Sequence, residues 1–189
     1  MIKLDPKTTA LVLIDLQNGI LALPIAPRTG AQALEAGKAL AARFREVGAP
    51  VVLVNVAFAP DDGDRVLAPT DQPMIIPPGG FPAEWGQLVD GLAQPGDIRV
   101  TKRQWGAFHQ TALDLELRRR GIKTVVLAGV ATNFGVESTA RAGYEHGYAM
   151  VLVEDAMTSF SPEMHAFSVE RIFPRIGRVT TASEIGFEA

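Results

Sequence analysis

Short apolar runs alternate with stretches of helical periodicity along this chain, and the alternation itself predicts the architecture. Strands are expected at Thr9 to Asp15, Val51 to Val56, Ile98 to Thr101, Thr124 to Leu127, Ala149 to Val153 and Arg178 to Thr180. Most of these runs are apolar on both faces, as strands buried inside a parallel sheet are. Helices are expected at Ala31 to Val47, His109 to Arg120, Gly135 to His146 and Pro162 to Phe173. Gly48, Gly121 and Gly147 follow three of them and read as helix stops, because glycine accepts a positive φ without steric cost. Strand and helix in alternation imply an α/β fold, a parallel sheet covered on both faces. The segment Ala59 to Gly96 breaks the rhythm with DDGD, PPGG and further prolines, and predicts a surface excursion with a short helix near Trp85. Segments of this length serve as lids or partner contacts, or simply decorate a crossover. No repeat or second boundary appears, so residues 1–189 read as a single domain.

Three of the runs end on chemistry. ALVLID delivers Asp15, IRVTKRQWGAF delivers Lys102, and TVVLAGVATNFGVESTA leads into a helix start around Gly135. Parallel strands of one sheet share a carboxyl edge, which is where open α/β sheets bind ligands. An acid, an ammonium and a helix N-terminus meeting there would compose an active site.

Composition narrows the function classes. With 47% apolar and 21% charged residues the chain has material for a sizeable core, which argues against disorder and against a disulfide scaffold. A net charge of −3 with both signs interleaved gives no footprint for nucleic acid. The run Arg118, Arg119 and Arg120 fits a solvated helix end, where cations complement the dipole. The absence of cysteine excludes thiol catalysis, zinc-thiolate sites and disulfides, and fits a reducing compartment. MIKLDPKTT lacks the apolar stretch of a signal peptide and no segment approaches a membrane span, so the expectation is a cytoplasmic protein without a membrane partner. His109, His146 and His165 are widely separated, and no metal site is expected.

The motifs VLIDLQNGI, TKRQWGAFHQT, VVLAGVATNFGVESTARAGYEHGY and VEDAMTSFSPEMH followed by PRIGRV resemble, in this order and spacing, the isochorismatase-like hydrolase superfamily. The resemblance covers nearly the whole chain. It implies a doubly wound α/β domain with a central parallel sheet of about six strands flanked by helices. In most of that family a nucleophilic cysteine stands where this sequence has Gly135, while Asp15 and Lys102 match the other two catalytic positions. A covalent amidase needs its thiolate. Phe134 and Val136 offer no replacement, and Ser138 and Thr139 lie about one helical turn further on. The sequence is more similar to the isochorismatases, which also carry glycine there and cleave a vinyl ether without a covalent intermediate. By that resemblance Asp15 would protonate the methylene carbon of an enol ether and Lys102 would hold the carboxyl group or a substrate carboxylate. The backbone of Val130, Ala131 and Gly135 would face developing negative charge, with a non-proline cis peptide between Val130 and Ala131. Gln17, Trp105, Phe108, Asn133 and Phe134 are the substrate-binding candidates. The stretch VLVNVAFAPDDGDR lacks both the Asp-x-His…His metal pattern of nicotinamidases and the glutamine with which isochorismatases hold substrate. Arg65 stands nearest to their arginine. No cofactor is implied, and a homodimer or larger oligomer is, with Phe81 and Trp85 offered to the partner.

Each of these residues also has a purely structural reading. Asp15 can cap a turn, Lys102 can serve as its ion-pair partner alone, and Gln17 and Asn18 can bond within a turn. Trp105 and Phe108 can pack, Thr132 and Asn133 can cap a helix, Glu137 can favour its dipole, and Gly135 can answer close packing. Three function classes follow: a cofactor-free hydrolase of a small carboxylated vinyl ether, a catalytically silent binding or assembly protein, and an amidase. The presence of both Asp15 and Lys102 favours the first.

Overall fold

A computed structural model describes residues 1–188. After a short strand, β1 (Ile2–Leu4), the chain builds β2 (Thr9–Ile14), β3 (Val51–Val56), β4 (Ile98–Lys102), β5 (Thr124–Val130), β6 (Ala149–Thr158) and β7 (Arg178–Thr180). These last six strands form one parallel sheet in the order β4-β3-β2-β5-β6-β7. The α/β architecture with a six-stranded parallel sheet is the one expected. Leu11, Val12, Leu13 and Ile14 in the middle of the sheet are at most 1% exposed. Each buried side chain of this size contributes about 1.5–3 kcal/mol, and together they make β2 the spine of the core.

The order of the strands places the site. From β2 the chain winds outward through β3 to β4, then returns to β5 beside β2 and winds the other way through β6 to β7. The reversal falls between β2 and β5, and a crevice opens at the carboxyl ends of the strands where such a reversal occurs. Right-handed crossovers in opposite directions put helices on opposite faces. The helix α2 (Gly30–Glu46) covers one face, and α3 (Leu113–Arg119) and α4 (Glu137–Glu145) lie side by side on the other, joined by an Arg118 Nη2 donation to the His146 carbonyl at 2.9 Å. A four-residue helix, α1 (Asn18–Leu21), precedes α2.

Local chemistry sets the helix ends. Thr29 and Gln32 form a reciprocal capping box at the start of α2, with the Thr29 N–H donating to Gln32 Oε1 at 2.9 Å. Gly48, Gly121 and Gly147 have φ of +70°, +67° and +88° and end their helices as expected.

Four expectations need correction. Residues 109–112 are not helical, because Gln110 takes φ +51° and the Thr111 hydroxyl accepts from the Leu113 N–H at 3.1 Å. The segment after β5 opens with a π-helical turn, Thr132–Val136, before α4 begins. After Pro162 the chain forms α5 (Pro162–Phe167), a second π-helical turn, Ser168–Ile172, and α6 (Phe173–Ile176). Pro174, lacking an N–H, sits in the first turn of α6, where no donor is required. Near Trp85 there are turns rather than a helix, closed by Trp85 N–H to the Pro82 carbonyl at 2.9 Å and Gln87 N–H to the Glu84 carbonyl at 3.0 Å. A 3₁₀ turn, Ala182–Glu184, leads to a last strand, β8 (Ile185–Phe187), which pairs in parallel with β1 as a separate two-stranded sheet.

Gly129 shows how closely the central strands are seated. Its φ is +119°, and a Cβ there would lie 2.1 Å from the Ile14 carbonyl oxygen, which is backbone and cannot step aside. Strain and overpacking each cost about 1–3 kcal/mol. Gly129→Ala is therefore expected to lower the unfolding free energy by about 3 kcal/mol or more in urea melts, whereas an unchanged midpoint would contradict this seating.

Candidate active site

Asp15 is the first residue past β2 and takes φ +52°, a left-handed turn that costs an aspartate about 1–2 kcal/mol. Its N–H donates to the Val54 carbonyl at 2.9 Å, so the turn stays tied to β3. Lys102 ends β4, two strands away and roughly 10 Å across the sheet. Its side chain spans that gap. Nζ lies 2.8 Å from Asp15 Oδ2 and 3.1 Å from the Gln104 carbonyl oxygen. Both residues are buried, at 5% and 2% exposure. Among the described residues Asp15 Oδ1 has no hydrogen-bond partner. Burial pushes the Asp15 carboxyl up to about 6 from its usual range, and the Lys102 ammonium pulls in the opposite direction without cancelling it.

Asp15 and Lys102 line the base of a cavity of about 1000 Å³ at the carboxyl edge of the sheet. Val130, Ala131 and Gly135 line the same cavity, and the Val130–Ala131 peptide is cis, as the resemblance implied. The Ala131 carbonyl accepts from the N–H groups of Phe134 and Val136 at 3.1 and 3.2 Å, which starts the π-helical turn. A Cβ on Gly135 would stand 3.4 Å from Asp15 Oδ2 and 3.1 Å from Ile14 Cγ2, so Gly135 lies directly against the acid. Trp105 and Phe134 form one aromatic wall, edge to face at 4.7 Å, continued by Phe160 at 5.6 Å from Phe134. Phe58 and Trp85, 6.1 Å apart, contribute to the lining from the side of the excursion.

The Isochorismatase domain family matches residues 9–184. The chain belongs to the isochorismatase family. It is 47% identical over 186 residues to the uncharacterized isochorismatase family protein YecD of Escherichia coli O157:H7, covering 98% of each chain. It is 31% identical over 219 residues to the ureidoacrylate amidohydrolase RutB of Pseudomonas savastanoi, covering 98% of this chain and 88% of the relative. The fold superimposes on an isochorismatase family protein from Burkholderia thailandensis with a TM-score of 0.91 and 44% identity, over 97% of this chain and 95% of the other.

Within this isochorismatase-family cavity, three of the substrate-binding candidates are placed elsewhere. Gln17 is fully buried and committed to backbone: Nε2 donates to the carbonyls of Val56 and Trp85, both at 3.0 Å, and Oε1 accepts from the Val56 N–H at 2.8 Å. It locks the base of the excursion to β3. Phe108 packs away from the cavity against Tyr148 and His146, with ring centroids 5.7 and 5.0 Å distant. Asn133 Oδ1 accepts from the Ser159 hydroxyl. Phe81 and Trp85, offered above to a partner, stack on each other at 4.2 Å and are half-buried, with the Trp85 ring pressed onto Gly19 of α1.

The cavity also holds residues that were not among the candidates: Phe58, Phe160 and Arg103, with Arg65 beside them. Arg65 Nε is buried without a partner among the described residues, while Nη2 lies 3.3 Å from Asp62 Oδ2. Arg103 pairs with Asp64 and donates to the Ala57 carbonyl at 2.8 Å, pinning the start of the excursion. Phe58 and Arg103 stand one or two residues past the ends of β3 and β4, so reading just beyond each strand would have found them. Among the described residues no three His, Cys, Asp or Glu side chains come together to hold a metal ion.

The electrostatics can be checked directly. The Asp15 carboxyl is expected to titrate near pH 6 by ¹³C NMR. In Lys102→Met its midpoint should rise further, because the charge that favours the carboxylate has been removed. A midpoint near 4 in the wild type would contradict the described burial.

Proposed function

We propose that the protein is a cofactor-free, non-covalent hydrolase of a small carboxylated vinyl ether. The observation that carries this reading is the Asp15 carboxyl: one oxygen on Lys102, the other unpartnered, a glycine and no nucleophile against it. An acid held near pH 6 keeps about a tenth of its population protonated at pH 7, enough to serve as a proton donor.

In this mechanism Asp15 delivers its proton to the terminal methylene carbon, a C–H bond forms, and the π electrons leave the ether carbon as an oxocarbenium ion. Water adds to that carbon, and its proton returns to the Asp15 carboxylate. The resulting hemiketal collapses to a ketone: its hydroxyl gives up a proton as the C=O bond forms, the C–O bond to the leaving alcohol breaks, and the alcohol oxygen takes up one proton in exchange. Two of the three Lys102 N–H donors are used by Asp15 and Gln104, and the third is available to a substrate oxygen. Arg65, which lines the cavity and holds Asp62 through Nη2, offers its guanidinium to a substrate carboxylate, and the aromatic walls favour a flat unsaturated skeleton. The amidohydrolase relatives raise an amide alternative, but an acyl intermediate needs a nucleophile and the chain has no cysteine.

The test is a substrate screen by mass spectrometry covering isochorismate, other vinyl ethers and small amides. Asp15→Asn is expected to lose about 10²–10⁴-fold or more in turnover while remaining folded, since the amide keeps the shape and cannot give the proton. Because the protonated acid is the active form, the wild-type rate should fall roughly tenfold per pH unit above about 6. Full activity in Asp15→Asn, or turnover confined to amides, would overturn the reading, and silence on every substrate would favour a binding protein.

A further inference from the structure

Two polar bridges fasten the π-helical turn that carries Gly135 and a third holds the first residue of α4 directly after it, and all three come from the segment that follows β6. The Ser159 hydroxyl donates to Asn133, the Ser168 hydroxyl donates to Glu137 Oε2 at 2.6 Å, and His165 Nδ1 lies 2.8 Å from Thr132 Oγ1. Thr132 is the first residue of the turn and fully buried, and His165 is 6% exposed. We propose that His165 is a positioning residue of this site, holding Thr132 and through it the turn that sets Gly135 against Asp15. The inference rests on the reading of Asp15 as the acid beneath that turn.

The direction of the hydrogen bond follows from what stands on the far side of the ring. His165 Nε2 faces Glu154 Oε2 at 3.7 Å, and Glu154 in turn is 3.4 Å from Arg28 Nη2. A carboxylate beside Nε2 favours a proton there, which leaves Nδ1 as the acceptor for the Thr132 hydroxyl. The charged groups acting on the ring are Arg28, from the loop before α2, and Glu154, from β6. Burial, and next the Arg28 guanidinium, push the imidazole below its usual range, with Glu154 opposing, so the ring is neutral at pH 7. Arg28 is itself held by donation from Nη1 to the carbonyls of Glu154 and Met157 at 3.0 and 3.2 Å. Threonine, histidine and glutamate thus follow one another as in a nucleophilic triad. Thr132, however, is fully buried and does not line the cavity, so the relay braces the turn and does not attack a substrate.

The test has a part that needs no substrate. In the full chain at pH 7, ¹⁵N NMR of the imidazole should show neutral His165 with its proton on Nε2. A proton on Nδ1, or an imidazolium, would overturn the proposal. The second part uses whichever substrate the wild type turns over. Here His165→Leu should lower kcat about tenfold, as expected for roughly 1.4 kcal/mol, with KM held within about twofold. His165→Asn, whose amide oxygen can take the place of Nδ1, should recover most of that loss. Thr132→Val should match His165→Leu and add nothing to it in the double variant. A folded His165→Leu with unchanged kcat, or a His165→Asn variant as impaired as the leucine, would overturn the role. Failure of the vinyl-ether reading looks different: no turnover by the wild type, with the Nε2 tautomer intact.

Discussion

The structure is organised around one buried ion pair, Lys102 Nζ to Asp15 Oδ2 at 2.8 Å. Taking two charges out of water costs several kcal/mol per ion, and a pair of this kind rarely repays that cost in stability. Its geometry is nevertheless tightly imposed. Asp15 turns through a left-handed conformation at the end of the central strand, and Lys102 reaches it across an intervening one. Because β2 lies between β3 and β5, and β3 between β2 and β4, any slip in the parallel register would pull acid from ammonium. The packing of the core is in this sense the holder of the pair. The pair in turn leaves a half-satisfied carboxyl facing a cavity.

Against that carboxyl the chain sets bare backbone where a nucleophile could stand. Gly135 presents no side chain to the acid, and the room for one Cβ beside Asp15 is already tight. The turn bearing Gly135 is therefore positioned by its surroundings: by Ala131 accepting two backbone N–H groups at its start, and by Ser159, His165 and Ser168 from the segment beyond β6. On the opposite side Gln17 fixes the base of the excursion by bonding Val56 and Trp85 at once, so the aromatic residues there form a wall with a rigid foot. The wall's outer part differs: Val66 and Leu67 are 65% and 66% exposed and line the mouth of the cavity.

Much of this was legible in the sequence because the sheet is parallel and buried. Apolar runs with polar ends give both the strands and their functional edge, and so Asp15, Lys102 and the turn at Gly135 could be placed together before any geometry was known. What was missed has physical reasons. β1 and β8 are three residues each, too short for any periodicity, and they are joined by pairing between the two ends of the chain. β6 runs on through Glu154 and Asp155, which read as a strand's end until Arg28 is seen beside the first and the Ala182 N–H, at 2.8 Å, on the second. Gln17 reads as a pocket residue by its closeness to Asp15, yet an amide with both ends satisfied by backbone is a structural tie. Phe108 and Asn133 failed for a similar reason: proximity in sequence to Lys102 and Gly135 does not fix on which side of the turn a side chain falls.

Proton delivery to carbon is the step on which the proposed role of Asp15 depends, and one measurement addresses it. Hydrolysis of the vinyl-ether substrate in D₂O, with the ketone product examined by mass spectrometry and ¹H NMR, reports where the solvent proton goes. One deuterium is expected in the methyl group formed from the terminal methylene carbon. A product whose carbon skeleton carries no solvent deuterium would mean that no proton was added to carbon, and would contradict that role.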